Sequence, residues 1–380
     1  MSRDCGMDVP LQLSPVFKPK IWGRRDLSPI FDLSETASRD PARQAGHSRP
    51  RPPTNRPDTP IGEVWVTDDE SKFSNGPVAG MTLAQAAKTY GPKLVGAIHE
   101  SPLRDGRHEP RFPILAKYLY TGDWLSVQVH PDDDYARVHD SGSLGKAEMW
   151  YVIECEKGAE ILVGLNRGVT KEMLRAACAQ GKGKELLHAF HPHAGEAIFV
   201  PPGTVHALGP GLVLFEVEQN SDLTYRLDDF GRRGLDGRPR PLHWDEAMGV
   251  IREDPTALRN LPRLEFREAF GKRRYVLACR HFAVEELRFE RPANLAGSPE
   301  RVEIMAIVEG DGRVETEAGW LGSKRGETWL IPPATERYRL VPNEEIRLLK
   351  FYVPDLEKDF RQPLKRHGVS AAEIAKVVFD

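Results

Sequence analysis

Apolar and polar residues alternate most clearly over Trp124–Asp132, WLSVQVHPD. Leu125, Val127 and Val129 take one face of the strand this predicts. Ser126, Gln128 and His130 take the other, because strand side chains alternate with a period of two. One apolar face is ordinary. A hydroxyl, an amide and an imidazole lined up opposite it are not, since a polar face turned into a barrel needs partners. Gln128 and His130, one strand repeat apart, can grip a metal ion together, although a Gln-x-His pair alone is more often surface decoration. Two other stretches carry a related signal. Lys146–Ile153, KAEMWYVI, puts Lys146 and Glu148 on one strand face. Gly195–His206, GEAIFVPPGTVH, reads as a strand, a tight Pro-Gly turn and a histidine.

The same patterning predicts strands over Ile61–Thr67, Ala197–Pro201 and Leu212–Glu218, and a strand or strand-helix piece over Arg111–Tyr120. Leu223–Leu227, LTYRL, places Thr224 and Arg226 on one face. Helices are expected over Thr82–Tyr90, with Thr82 as N-cap, within Val169–Leu187, and over Leu242–Ile251 and Ser370–Phe379. Asp132–Asp134 lacks EF-hand spacing and predicts a solvated turn. Ser38–Pro60, rich in Pro, Arg, Ser and Asn, has few apolar residues to bury and predicts an exposed insertion. From Glu265 onward short β runs resume at Tyr275–Ala278, Phe282–Phe289, Val302–Val308, Thr328–Ile331 and Ile346–Tyr352. Many short strands between turn signals predict a barrel or sandwich.

The second half repeats the first. AEMWYVIE (Ala147–Glu154) parallels VEIMAIVE (Val302–Glu309), and GEAIFVPPGTVH parallels GETWLIPPATER (Gly326–Arg337). The expectation is a mainly β protein with two copies of one β fold, 1–260 and 261–380, and a small helical insertion near 167–190. Arg337 stands where the first copy has His206. Counting back from Glu303 by the His130–Glu148 spacing reaches Glu285, with Ala283 in place of Gln128. Only Glu148 then keeps a counterpart, so the metal site is expected in the first copy alone.

Bulk properties narrow the partners. The chain has 380 residues, a net charge of -3 and 40% hydrophobic residues, which speaks against nucleic-acid or membrane affinity. There is no long apolar run and no signal-peptide pattern at the start. Cys5, Cys155, Cys178 and Cys279 form no CxxC, so free thiols and a cytoplasmic location are expected.

GDWLSVQVH follows the first cupin signature, G-x5-H-x-H, with Gln128 for the first histidine, and GEAIFVPPGTVH fits the second, G-x5-P-x-G-x2-H. QxHPD (Gln128–Asp132), KxEMWYV (Lys146–Val152), PxGTxHAL (Pro201–Leu208) and E-x3-NSD-x3-R (Glu216–Arg226) together resemble the type I mannose-6-phosphate isomerases, in their shorter bacterial form. The departures are the insertion after Ser38 and Pro210 at the cupin asparagine position. The resemblance implies two cupin-type jelly-roll domains and one zinc ion per chain held by Gln128, His130, Glu148 and His206. Two imidazoles, a carboxylate and an amide oxygen suit such a cation, and the absence of thiolate fits a site with an open position. It also implies interconversion of mannose 6-phosphate and fructose 6-phosphate through a cis-enediol. In that reaction Arg226 would stabilise the enediolate, Glu216 is the candidate base and Lys146 would steady substrate oxygens. Ser126, Lys117 and Arg232 are the candidates for holding phosphate. A small sugar phosphate is the implied partner of a monomer or homodimer. A non-catalytic sugar-binding cupin and an iron cupin oxidoreductase are the alternatives. The first would not need Glu216, Lys146 and Arg226 together, and the second would prefer a histidine at Gln128.

Overall fold

The computed structural model describes residues 8–31, 59–96, 100–102, 108–110, 112–140, 143–253, 261–317 and 319–380. The Pro/Arg-rich stretch over 38–60 lies outside them up to residue 58. Each half of the chain builds a larger and a smaller antiparallel sheet. The first half's larger sheet runs β11 (Ala197–Val200), β8 (Glu148–Cys155), β13 (Leu212–Gln219), β6 (Ile114–Thr121), β3 (Ile61–Trp65), β2 (Val16–Arg24). Its smaller sheet runs β10 (Leu187–Phe190), β9 (Ile161–Leu165), β12 (His206–Leu208), β7 (Val127–Val129), β14 (Tyr225–Asp228).

The second half repeats this order. Its larger sheet is β1 (Leu11–Leu13), β22 (Thr328–Ile331), β19 (Glu303–Glu309), β24 (Ile346–Tyr352), β17 (Ala283–Phe289), β16 (Gly271–Ala278), β15 (Leu264–Glu268). Its smaller sheet is β18 (Ala293–Leu295), β23 (Tyr338–Pro342), β20 (Asp311–Thr316), β21 (Gly319–Lys324). A hairpin, β4 (Glu100–Pro102) and β5 (His108–Pro110), stands apart. The fold is mainly β, as expected from the sequence. β1 crosses the expected division at residue 260: Leu11, Gln12 and Leu13 pair with Leu330, Trp329 and Thr328. No described helix is long and apolar enough to cross a membrane.

The two larger sheets pack on each other. Tyr118, Met149, Tyr151, Phe215 and Val217 of the first share one apolar cluster with Val284, Ile304, Leu349 and Phe351 of the second. The alternate residues of the same strands, Leu119, Trp150, Val152, Leu212 and Leu214, fill the first barrel. The first half's larger sheet is therefore buried on both faces, which is why β8 and β13 read as near-continuous apolar runs. Within β13 the barrel-facing series continues from Leu212 and Leu214 to Glu216 and Glu218, so those carboxylates point inward.

Local signals behave as the residues dictate. Thr82 forms a capping box with Gln85 at the start of Leu83–Tyr90, and Thr170 caps Lys171–Cys178. The predicted C-terminal helix is shorter than its periodicity suggests, Ala371–Ile374, opened by a Ser370–Glu373 capping box. Asp132–Asp134 is a correction. Asp132 accepts a hydrogen bond from Tyr135 N as the N-cap of the helix Asp133–His139, and the acids complement its dipole. Leu125 also departs from expectation: it precedes the short strand β7 and packs inside the barrel, whereas Val127 and Val129 pack on the outer side under Leu174 and Ala247.

Candidate active site and metal centre

Three strands of the first barrel converge on one point. Gln128 of β7, His206 of β12 and Glu148 of β8 come from both sheets, and His130 follows β7 directly. Gln128 and His206 are register partners. The Pro-Gly turn brings His206 there: Gly203 has φ +84 and donates its N–H to His130 O at 2.8 Å. A side chain at this glycine would meet Val250 O at 2.8 Å, so the turn depends on its absence.

Both histidines are turned the same way. His130 donates from Nδ1 to Leu223 O at 2.8 Å, and His206 from Nδ1 to Thr204 O at 2.9 Å. Each Nε2 is therefore a lone pair, and each faces Glu148, at 3.5 Å and 3.2 Å. Carbonyls that fix the tautomer in this manner are the usual outer support of metal-binding imidazoles. Burial first, then the Lys146 charge, holds His130 well below the ordinary histidine value. Burial lowers His206 to about 4, so both rings are neutral. His130 Nε2 and both Glu148 oxygens are buried without a hydrogen bond.

The surrounding charge is unusual for a barrel interior. Lys146 Nζ lies 3.1 Å from Glu148 and 2.8 Å from Glu218, and Lys117 Nζ lies 3.0 Å from each of Glu216 and Glu218. Trp150 Nε1 donates to Glu216 at 2.7 Å. Burial opposes ionisation of Glu216, but Lys117, Lys146 and the indole N–H hold it well below the usual carboxylate range. Burial and the Glu216 charge push Glu218 up to about 8. Burial also raises Glu148, against the pull of Lys146. Three carboxyl groups thus crowd two ammonium groups, and the two neutral imidazoles leave lone pairs beside them. That donor set fits a divalent cation.

A cavity of about 210 Å³ adjoins this point. Ser126, Gln128, Lys117, Lys146, Glu216 and Arg226 all line it, together with Thr224. Arg226 is the register partner of Gln128, donates from Nη1 to Pro241 O at 3.1 Å, and keeps a buried Nε without a partner. Burial first, then the neighbouring Arg240, lowers its affinity for the proton, as expected of a cation short of anions. Lys117 lines the cavity, but its charge is spent on two carboxylates in full burial. Arg232 is not brought to the cavity. Its guanidinium is tied to Asp123, Trp124 O and Asp229, over a surface loop. Arg240 and Lys20 line the cavity instead, Arg240 clamped by Asp229 and Lys20 paired with Glu63 at 3.1 Å. Neither carries a motif of its own. Their only sequence signal is basic character near strands that enter the barrel.

A jelly-roll barrel enclosing two imidazoles and a carboxylate beside a cation-lined cavity defines a metal-binding cupin. Residues 11–165 match the family model for the phosphomannose isomerase type I catalytic domain. The chain is 32% identical to mannose-6-phosphate isomerase ManA of Bacillus subtilis over 87% of its own length and 95% of the relative's. It superposes on a crystal structure of mannose 6-phosphate isomerase from Bacillus subtilis with a TM-score of 0.72, at 28% identity over 90% of this chain and 99% of that one. A zinc-bound mannose 6-phosphate isomerase structure shares the fold at 14% identity, with a TM-score of 0.66 and coverage of 90% and 99%. The chain belongs to the type I phosphomannose isomerases, a family of aldose–ketose isomerases.

Proposed function

We propose that this protein interconverts mannose 6-phosphate and fructose 6-phosphate through a cis-enediol, with one zinc ion held by Gln128, His130, Glu148 and His206. The observation that carries the reading is the convergence of two imidazole lone pairs on Glu148 beside a cavity lined by Arg226, Arg240 and Lys20. The donor set, two imidazoles, a carboxylate and an amide oxygen without thiolate, favours zinc with an open position. A bound zinc ion supplies Lewis-acid polarisation of the sugar oxygens.

The protein's own groups do the rest. Glu216 is the proton acceptor: it lines the cavity, is ionised, and has a carboxylate oxygen within 4.8 Å of those of Glu148 and Glu218. Its two donors, Lys117 and Trp150, orient it and keep it a weak base. Arg226 faces negative charge as it develops on the enediolate oxygens, and its partnerless Nε is the donor available for it. Lys146 orients Glu148 and presents positive charge to the substrate oxygens. Arg240 and Lys20, with the Ser126 hydroxyl, take the phosphate; Lys117 acts through Glu216 and Arg232 through Asp229. The units 1–260 and 261–380 then divide the work, with the chemistry in the first. A coupled assay on mannose 6-phosphate, before and after chelation and zinc return, tests this. Turnover lost on chelation and restored by zinc is expected. Full turnover in protein shown by elemental analysis to be metal-free would refute it.

A further inference from the structure

A second cavity, of about 500 Å³, lies in the second half and plays no part in the chemistry above. Its place follows from register. Across β3, β6, β13 and β8 the first barrel sets the row Trp65, Lys117, Glu216, Trp150. Across β16, β17, β24 and β19 the second barrel sets Tyr275, Glu285, Lys350, Met305. Aromatic, charge, opposite charge and apolar residue recur in order, with the ion pair reversed. Tyr275, Glu285 and Lys350 all line the second cavity, which therefore occupies in its barrel the place the first cavity has in its own.

What the two places hold differs in one respect and agrees in another. The two imidazole donors are gone: β18, which answers to β7, carries Asn294 and is followed by Ala296, and Arg337 stands at the end of the turn that leads to His206 in the first copy, so only Glu303 and an amide remain. The cationic excess remains. Arg273, Arg301, Lys350, Lys358 and Arg366 line the cavity against Glu268, Glu285 and Asp359. Some of that charge is internal. Arg273 meets Glu285 at 2.8 Å, and Arg301 grips Asp359 at 2.7 and 3.1 Å. Lys350 is held only loosely, at 3.3 and 3.5 Å from Glu303 and Glu285. Lys358 and Arg366 reach the cavity from the exposed C-terminal segment; Lys358 is held by Glu300 at 2.6 and 2.7 Å, whereas Arg366 has no ion pair among the described residues. Planar guanidinium groups and a loosely held ammonium around this open cavity select a phosphate rather than a neutral sugar.

We propose that the second barrel binds a small phosphate ester of hexose phosphate size and leaves it unreacted. The size class rests on the reading of the first cavity; the anion preference does not. Calorimetric titration with glucitol 6-phosphate, which has no carbonyl to isomerise, tests it. Two sites per chain are expected in the wild-type protein. The double variant Lys358→Ala, Arg366→Ala should weaken one site at least tenfold while kcat and KM for mannose 6-phosphate stay unchanged. Arg366→Glu alone should do the same, and its melting curve shows whether the fold is intact. Arg226→Ala should weaken the other site only. A single wild-type site untouched by the Lys358 and Arg366 changes, or no binding at all, overturns the proposal. A site that depends on Arg366 in a protein without isomerase activity would leave it standing and remove the reading of the first cavity.

Discussion

Gln128 Nε2 lies 3.1 Å from His206 Nε2, and Gln128 Oε1 accepts from the Ser126 hydroxyl at 3.2 Å. His206 has already given its Nδ1 proton to Thr204 O, so the amide N–H is serving an imidazole lone pair. A half-turn of the amide would place its oxygen beside that lone pair and its N–H toward Ser126. The pair is thus arranged to offer two donor atoms to one cation.

His206→Ala is accordingly expected to lose metal and turnover together. Elemental analysis should fall from one zinc per chain to near none. Gln128→Ala, which removes a neutral ligand, should weaken metal binding by less. Two metals per wild-type chain would contradict the assignment, because among the described residues the second barrel offers no such donor group.

Arg226→Ala should lower kcat by on the order of 100-fold with a smaller change in KM and an unchanged metal content. Steady-state kinetics separates the outcomes. A rise in KM alone would make Arg226 a ground-state binder, for which Arg240 is also placed.

Glu285 gives a pH prediction. Burial opposes its ionisation, but Lys350 and Arg273 hold it below the ordinary glutamate value. A carboxylate depressed in the folded state favours the fold above its unfolded pKa, and that stability is lost as pH falls through the folded value. Stability should therefore decline below about pH 4 in part through this group. Glu285→Gln should flatten that acid limb and, by leaving Lys350 only Glu303 and Arg273 only Glu268, cost about 2 kcal/mol at neutral pH. Denaturant melts at pH 3 to 7 measure both effects.

A fragment ending at residue 260 should not behave as a free domain. Its larger sheet would expose Tyr118, Tyr151 and Phe215, which the second half covers, and Gly195 O would lose the 2.6 Å hydrogen bond from Arg274. Aggregation on expression is expected; a monomeric fragment with native melting behaviour would contradict it.

The residues that converge on Glu148 were legible because each sits in a short motif whose period or turn fixes its direction. Alternation put Gln128 and His130 together, and the Pro-Gly turn aimed His206. Long-range pairing was not legible. The spacing count set Glu285 opposite His130, but the strands set it opposite Lys117, because the connection from β7 to β8, which holds the helix Asp133–His139, is much longer than the one from β18 to β19. Arg232 looked like a free cation near the motif, yet Asp123 and Asp229, an acid on either side of the loop, absorb it. Arg240 reaches the cavity only through the clamp of Asp229, which no local pattern announces.

The pairing of β1 with β22 has a temporal side. Thr328–Leu330 are made more than 300 residues after Leu11–Leu13. At synthesis rates of about 5–20 residues per second, the first strand waits roughly fifteen to sixty seconds for its partner. Until then it is an apolar segment with open hydrogen-bonding groups beside a nascent barrel. β22 belongs to the sheet that covers the first half, and its central strand β24 is made later still, so docking of the two halves and capture of β1 are tied to the same late stretch of chain.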